Sequence, residues 1–241
     1  MHDAHILIIM SRLVFDIETI GEDFDSLDKT SQAVLTRWLK KESINSEDYK
    51  IELEELKNGL GFSPYTGAVV VIGVLDVEKN KGCVYYSCGD KKEEETEADA
   101  IKFKPLSEKE MLEKFWEGAR QYQQFITFNG RAFDVPFLMI RSAVHNVRPT
   151  VNLMPYRYDN NTCHVDLLDQ LTFYGAVRKK PNLHMTARTF GIKSPKDSGI
   201  TGEDVGRLYQ EGKFFDIARY NVGDLRATRE LYLVWEKFIK F

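Results

Sequence analysis

The pattern of apolar and polar residues divides the chain into short strands and longer helices. Residues 13–17 and 68–77 are dense in apolar side chains and predict buried strands, and residues 83–87 are the expected hairpin partner of the second. Two further short strands are predicted at residues 125–128 and 164–166. The first strands are therefore close together in the chain, whereas long polar or helical stretches separate the later ones.

Apolar residues at spacings of three and four predict helices among and after these strands. Ser107 and Glu110 have the spacing of a capping box at the start of one helix, and Pro136 lies in the first turn of another, where proline is tolerated. The helices after the one that begins at Ser107 are expected at residues 134–147, 167–173, 183–190, 203–209 and 214–238. Strands that alternate with helices predict an α/β protein, with a mixed sheet flanked by helices on both faces.

A polar segment, residues 22–67, separates the first strand from the second and is expected to contain two short helices. The sequence has no internal repeat and no linker-like stretch, so we expect one domain over residues 1–241 with residues 22–67 as a helical insertion. Residues 90–99 are strongly acidic without periodicity, which is typical of a solvated loop.

Composition restricts the class of protein. The 241 residues are 43% hydrophobic, as in ordinary globular proteins, and the apolar stretch at residues 5–10 is too short to cross a bilayer. An odd number of cysteines (Cys83, Cys88 and Cys163) without zinc-finger spacing fits a reducing compartment. We therefore expect a soluble, cytoplasmic protein with no membrane contact. Met10, just before the first strand, is a second candidate for the initiating residue.

Acidic residues recur where the predicted elements end. Asp16 and Glu18 are two apart at the end of a strand, so their side chains project to the same face. Asp134 begins a helix directly after a strand, and Tyr220 and Asp224 are four apart, hence on one face of the last helix. Like charges that are buried together destabilise each other, and a hard divalent cation removes that cost. Each pattern alone is commonplace; their conjunction predicts a metal site.

At these positions the chain resembles the DEDD (DnaQ-like) superfamily of 3′-to-5′ exonucleases, which have an RNase H-like fold. Asp-Ile-Glu-Thr at residues 16–19, Asn-Gly-Arg-Ala-Phe-Asp at 129–134 and Tyr-Asn-Val-Gly-Asp at 220–224 are similar in order and character to its three motifs. The tyrosine indicates the DEDDy branch, since the histidine of the other branch would stand at Arg219. The chain looks most like stand-alone relatives of the proofreading domain of family B DNA polymerases, over residues 13–235.

The resemblance implies a role for each motif residue. Asp16 would bridge two divalent ions, Mg²⁺ or Mn²⁺, while Glu18 and Asp224 complete the first site and Asp134 holds the second. Tyr220 would orient the attacking water. Two bound divalent ions would also offset the net charge of −4, so that the acidic balance does not exclude a nucleic-acid partner.

Substrate contacts are also implied by the resemblance. Thr19 would meet the terminal 3′ hydroxyl, Asn129 would hold a phosphate, and Phe133 would wedge or stack against a base. A basic stretch between two motifs is interpreted either as a track for the phosphate backbone or as an ordinary solvated surface. Its members are Arg178, Lys179, Lys180, Arg188, Lys193 and Lys196.

Three functions remain in competition. The first is an exonuclease that hydrolyses single-stranded DNA from its 3′ end and releases nucleoside monophosphates; the second is the same reaction on RNA; the third is a catalytically silent nucleic-acid-binding module. The intact set of acids and tyrosine disfavours the third. Asp166 is interpreted as a helix cap and not a further ligand. His145, His164 and His184 lack ligand spacing and are interpreted as surface or satisfied core residues.

Overall fold

A mixed sheet lies at the centre of the computed structural model, which describes residues 10–39, 45–89, 91, 93–158, 162–194 and 199–240. Its strands are β1 (Arg12–Gly21), β2 (Gly67–Asp76), β3 (Lys81–Tyr86), β4 (Thr96–Ala98), β5 (Ile101–Pro105), β6 (Gln124–Thr127) and β7 (His164–Asp166). They are arranged in the order β4-β5-β3-β2-β1-β6-β7. β1 is antiparallel to β2 and parallel to β6, which is parallel to β7. The C-terminal ends of β1, β6 and β7 therefore lie at the same edge of the sheet.

Helices occupy the segments between these strands. The described residues contain α1 (Lys29–Leu35), α2 (Ser46–Gly59), α3 (Glu108–Ala119), α4 (Asp134–Val144), α5 (Leu167–Leu171), α6 (Leu183–Thr189), α7 (Val205–Gln210) and α8 (Phe214–Phe238). The capping box at the start of α3 is confirmed, with both Ser107 and Glu110 making their reciprocal bonds. Among the residues described, no helix has both the length and the apolar character needed to span a bilayer.

The alternation of residues along β1 explains why both faces of the sheet are covered. Leu13, Phe15 and Ile17 lie in a buried cluster with side chains of α3 and α4. Val14 points the other way, into a cluster built with α7 and α8. Each such side chain contributes about 1.5–3 kcal/mol by leaving water. The predicted α/β fold, a mixed sheet with helices on both faces, is confirmed.

The acidic segment at residues 90–99 is not wholly a loop, which corrects the expectation from its composition. Its last residues form β4, and the unanticipated β5 follows. All three residues of β4 are exposed, so this edge strand lacks the alternating burial that marks a strand in a sequence. β5 buries only Ile101 and Phe103, too few positions for a periodic signal. Residues 90 and 92, like residues 1–9, lie outside the described part of the chain.

Residues 22–67 leave the end of β1 and return to it. The two predicted helices are confirmed as α1 and α2, and short 3-10 turns precede and follow them. The Glu22 N–H donates to the Thr66 carbonyl at 2.8 Å, which brings the two ends of the segment together. Gly21 and Gly61 pack so closely that a Cβ on Gly61 would lie 2.9 Å from the Gly21 nitrogen. The segment therefore covers the end of β1 that carries the acidic motif.

A partly buried ion pair fixes α3 and α4 to the sheet. The Glu108 carboxylate accepts hydrogen bonds from the Val69 N–H, from His145 Nε2 and from two guanidinium nitrogens of Arg141, all at 2.7–2.8 Å. Burial by itself would raise the pKa of Glu108, but the bonds from Arg141, Val69 and His145 outweigh it and lower the pKa. This contact sets the position of α4, which begins with Asp134.

Candidate active site

Three carboxylates from two distant parts of the chain meet above the sheet. Asp16 and Glu18 project from β1 toward α8, and Asp224 projects from α8 toward β1. One oxygen of each lies within 4.8 Å of the others. This set of oxygen donors suits a hard divalent cation such as Mg²⁺ or Mn²⁺, which prefers a few carboxylates and retains water.

Asp134 lies beside this group as the first residue of α4. Its Oδ1 accepts the Ile17 N–H at 3.1 Å, so that α4 is tied to β1 between the two acids of that strand. Burial is the main cause that raises the pKa of Asp134 to about 7; the charges of Asp166 and Asp224 add to it, and the bond from Ile17 opposes it. The structure thus brings all four predicted acids within electrostatic reach of one another.

The two acids of β1 hold their protons more tightly than ordinary carboxylic acids. Burial is the largest cause that raises the pKa of Asp16, followed by the charges of Asp134, Asp224 and Glu18. Burial likewise raises the pKa of Glu18, with Asp224 next. Without a compensating cation the ionised site is therefore unfavourable. A divalent ion would supply the missing positive charge.

Asn221, whose role the sequence did not predict, hydrogen-bonds to both acids of β1. Its Nδ2 donates to Asp16 Oδ2 at 2.8 Å and makes a longer bond of 3.4 Å to Glu18 Oε1. Asn221 is fully buried, and its Oδ1 is the buried side-chain atom without a hydrogen-bond partner among the residues described. The sequence did contain a signal for this role. Asn221 is four residues from both Ile217 and Leu225, so it is a polar residue on the buried face of α8.

Tyr220 contacts the acids from the next position on α8. It is buried, and its phenol donates a hydrogen bond to Asp224. Burial, followed by the nearby charges of Asp224, Glu18 and Asp16, raises the pKa of Tyr220 far above its usual value. The phenol therefore stays neutral, so it can donate a hydrogen bond and orient a water molecule but cannot act as a base at neutral pH.

Asp166 fixes the loop that leads to Asp134. It caps α5 by accepting the Leu168 N–H at 3.0 Å, which confirms its interpretation as a cap. It also accepts the N–H groups of Asn129 at 2.8 Å and Arg131 at 3.0 Å. Burial raises the pKa of Asp166, and these N–H donors oppose that effect. One carboxylate thus joins the end of β7 to the turn between β6 and α4.

That turn needs its glycine. A Cβ on Gly130 would lie 2.3 Å from Thr127 Oγ1, closer than real contacts allow, so any larger residue would displace the turn. Asn129 precedes it with φ +66, a left-handed conformation that asparagine tolerates better than most residues. Asn129 and Gly130 are therefore needed for the backbone conformation of the turn. This requirement is independent of any contact between the Asn129 side chain and a substrate.

The residues expected to contact substrate lie around the acids. Thr19 follows an irregularity in the β1–β2 pairing and donates its hydroxyl to the Gly61 carbonyl at 2.7 Å. The Phe133 ring lies 5.3 Å from that of Phe137 and 6.5 Å from that of Phe62, which is 63% exposed. Residues 22–67 thus contribute an exposed aromatic ring beside Phe133.

The predicted basic stretch is a surface feature. Its described members, Arg178, Lys179, Lys180, Arg188 and Lys193, are all exposed, and Lys196 lies outside the described residues. The three histidines have protein partners: His145 bonds to Glu108, His184 to Ser194, and buried His164 to Thr127 and Leu153. Burial lowers the pKa of His164 to about 4, so this ring is a neutral part of the core.

Comparisons with known proteins bear on both fold and activity. A family model described as a predicted 3′-5′ exonuclease related to the exonuclease domain of PolB matches residues 68–241, which contain Asp134, Tyr220 and Asp224 but not β1. No curated protein matches the chain. A solved structure of the family B DNA polymerase from the hyperthermophilic archaeon Pyrobaculum calidifontis is similar over 95% of this chain, with a TM-score of 0.56 and 17% identity. The similar region is 25% of the polymerase, and at this identity the likeness shows the fold alone.

Proposed function

Because the chain belongs to the family of predicted 3′-5′ exonucleases related to the exonuclease domain of PolB, we propose that it hydrolyses single-stranded DNA from the 3′ end and releases nucleoside monophosphates. The observation that carries this proposal is the grouping of Asp16, Glu18 and Asp224 within 4.8 Å, next to Asp134. No ordinary structural role requires four acids to be gathered where burial raises the pKa values of Asp16, Glu18 and Asp134.

The donor set fits two divalent cations, Mg²⁺ or Mn²⁺. Asp16 would contribute to both ion sites; Glu18 and Asp224 would hold one ion, and Asp134 the other. Bound ions of this kind acidify the attacking water and stabilise the departing 3′ oxygen. The protein's part is to present ionised carboxylates at fixed positions, which Asn221 does for Asp16 and Glu18 through its amide group.

Tyr220 would orient the attacking water. Its high pKa keeps the phenolic proton in place, so the group acts as a neutral hydrogen-bonding partner and not as a base. Thr19 would receive the terminal 3′ hydroxyl: its own proton is directed to Gly61, which leaves its oxygen available as an acceptor. Asn129 would contact a phosphate, and Phe133 would stack against the terminal base.

We further propose that residues 1–241 form a single exonuclease domain in which the helical insertion, residues 22–67, borders the cleft. Two contacts support this: the bond from Thr19 to Gly61, and the pair formed by Phe62 and Phe133. Deletion of residues 25–60 should alter the preference between single-stranded and duplex ends. Since that deletion removes buried Leu39 and Leu60, Phe62→Ala is a milder test in an intact fold. Unchanged kinetics on both kinds of end in both variants would refute the role.

The main experiment follows the degradation of 5′-labelled single-stranded DNA and RNA with Mg²⁺ or Mn²⁺. Asp16→Ala is the inactive variant, and Glu203→Gln, a change of an exposed acid outside the site, is the matched control. A one-nucleotide ladder on DNA that Asp16→Ala abolishes supports the proposal. A ladder on RNA alone would identify RNA as the substrate. Binding without any ladder would indicate a catalytically silent module. A ladder that survives in Asp16→Ala overturns the assignment of the acids.

A further inference from the structure

Two exposed tyrosines and one half-buried tyrosine form a group next to the loop that leads to Asp134. Tyr156 is 73% exposed and Tyr158 is 55% exposed. The ring of Tyr158 lies 5.7 Å from that of Tyr156 and 5.0 Å from that of Tyr174, so the three form a connected row. We call Tyr156, Tyr158 and Tyr174 the tyrosine surface. Large rings normally leave water when a protein folds, and an exposed group of them marks a binding surface.

The backbone holds aromatic residues here at a conformational cost. Phe173 and Tyr174 have φ values of 50 and 55, two consecutive left-handed residues at the end of α5, where glycine is the usual choice. The turn is closed by the Tyr174 N–H, which donates to the Asp169 carbonyl at 2.8 Å, and Gln170 Nε2 donates to the Tyr174 hydroxyl at 2.8 Å. The two hydrogen bonds offset this cost and hold the Tyr174 ring against Tyr158.

Two contacts connect the tyrosine surface to the loop of the candidate site. Arg131, which lies between Asn129 and Asp134, donates through Nη2 to the Pro155 carbonyl at 2.6 Å, one residue before Tyr156. Arg157 donates to Asp169 of α5 at 2.7 Å. The surface therefore lies at the sheet edge where β6 and β7 end, which is also the edge from which Asp134 begins α4.

Exposed cations follow the tyrosine surface in the chain: Arg178, Lys179 and Lys180 come four to six residues after Tyr174. Arg157, between the first two tyrosines, forms an ion pair with Asp169, so these two charges offset each other. The rings can stack on any base, and the cations attract phosphates. Single-stranded nucleic acid is therefore a better partner for this surface than the apolar surface of another protein.

We propose that the tyrosine surface stacks on bases of the single-stranded substrate on the 5′ side of the terminal nucleotide. This inference rests on the proposed function and specifies how that site would hold a strand. A base in this position is not the one removed, so the contact adds affinity for long strands without entering the chemical step. The proposal places the tyrosine surface beyond the reach of a dinucleotide held at the acids.

The test compares the wild type with Tyr156→Ala/Tyr158→Ala, with Tyr156→Phe/Tyr158→Phe, and with Phe238→Ala, which removes an exposed ring at the far end of α8. The KM is measured on a dinucleotide and on an oligothymidylate of about 12 nucleotides, within the usual footprint of single-strand binders. The Kd of the labelled oligomer is measured by anisotropy without divalent ions. Loss of two stacking contacts should raise the KM and Kd of the oligomer about tenfold or more. The kcat, and all dinucleotide kinetics, should not change.

Retention of oligomer affinity by the phenylalanine pair and by Phe238→Ala would support stacking as the cause. An unchanged KM and Kd in the alanine pair, while the wild type degrades both substrates, overturns the inference and leaves the proposed function intact. If the wild type degrades neither substrate, the proposed function fails, and the Kd values still decide whether the surface binds a strand. A dimer in light scattering that the alanine pair dissociates would assign the surface to a second copy of the chain and overturn the inference.

Discussion

A Cβ on Gly73 would lie 1.8 Å from Asn221 Oδ1, so the glycine of β2 is what admits the asparagine of α8. Gly73 pairs with Asp16 in the β1–β2 register, which places the gap directly beside the first acid. Through this gap Asn221 reaches the carboxylates of Asp16 and Glu18. Because Gly73 in β2 has no side chain, Asn221 of α8 can approach β1 and hydrogen-bond to its two acids.

Gly73→Ala should destabilise the protein and lower its activity. The added methyl group must displace Asn221 or Leu225, and overpacking of this kind costs about 1–3 kcal/mol of unfolding free energy. Urea denaturation and kcat on single-stranded DNA measure the two effects. Gly118→Ala in α3 is the matched control: its Cβ would meet nothing within 4 Å, so the protein should gain about 0.5–1 kcal/mol. If Gly73→Ala behaves like the control, the gap has no such role.

Asn221→Leu should weaken catalysis more than stability. The substitution removes the amide donor that holds Asp16 and Glu18, and also the Oδ1 atom that has no partner within the described residues. Loss of a group that orients metal ligands costs about 10–100-fold in metal affinity or activity. The concentration of Mn²⁺ that gives half-maximal activity should rise, and kcat at saturating Mn²⁺ should fall. A normal Mn²⁺ requirement in a folded Asn221→Leu protein would contradict this role.

The metal-free protein should lose stability as the pH rises from about 4 to about 7. The pKa of Asp134 in the folded state, about 7, is above its ordinary value, so the folded state binds more protons than the unfolded state in this window. The contribution is at most on the order of 4 kcal/mol. Divalent ions should therefore raise the melting temperature more at pH 8 than at pH 5, as differential scanning calorimetry would measure.

Asp134→Asn isolates this effect, because the amide does not titrate. His164, whose pKa is lowered to about 4, contributes in the opposite direction: its part of the stability is lost as the pH falls from its ordinary value to 4. Both proteins keep His164, so the difference between their stability curves cancels it. A difference curve that is flat from pH 5 to pH 8 would show that Asp134 does not carry the dependence.

Asp166→Ala should unfold more easily and should also lose activity. Three backbone N–H groups, of Asn129, Arg131 and Leu168, would lose their acceptor, at a cost of about 2 kcal/mol or more. The released turn leads to Asp134, so kcat should fall as well, and Asp166→Asn, which keeps one acceptor oxygen, should be intermediate. Normal stability together with a lost metal response would instead make Asp166 a ligand.

The sequence predicted most of the framework because each element carries its own local signal. The bounds of α8 were predicted without error, and β1, β2 and the capping box of α3 followed from apolar periodicity and cap chemistry. The acids were predicted to meet because two lie two apart on a strand and one lies on a helix face, and the structure places Asp16, Glu18 and Asp224 together. Each of these predictions uses only a short stretch of neighbouring residues.

What the sequence analysis missed depends on contacts between distant segments. The role of Asn221 requires Gly73, about 150 residues earlier, and neither residue is unusual in its own surroundings. The exposed β4 has no buried side to reveal it. The contact of Tyr158 with Tyr174 depends on the position of α5, where Asp169 pairs with Arg157. Pattern arguments within a short window do not contain such information.

The Glu22–Thr66 hydrogen bond closes residues 22–67 into a loop at its base, and the Thr19–Gly61 bond attaches the loop to β1 beside that closure. Changes in the outer part of such a loop need not move β1 or β2, whose register is set by their own pairing. The segment that we propose borders the cleft can therefore diverge while the acids stay in place.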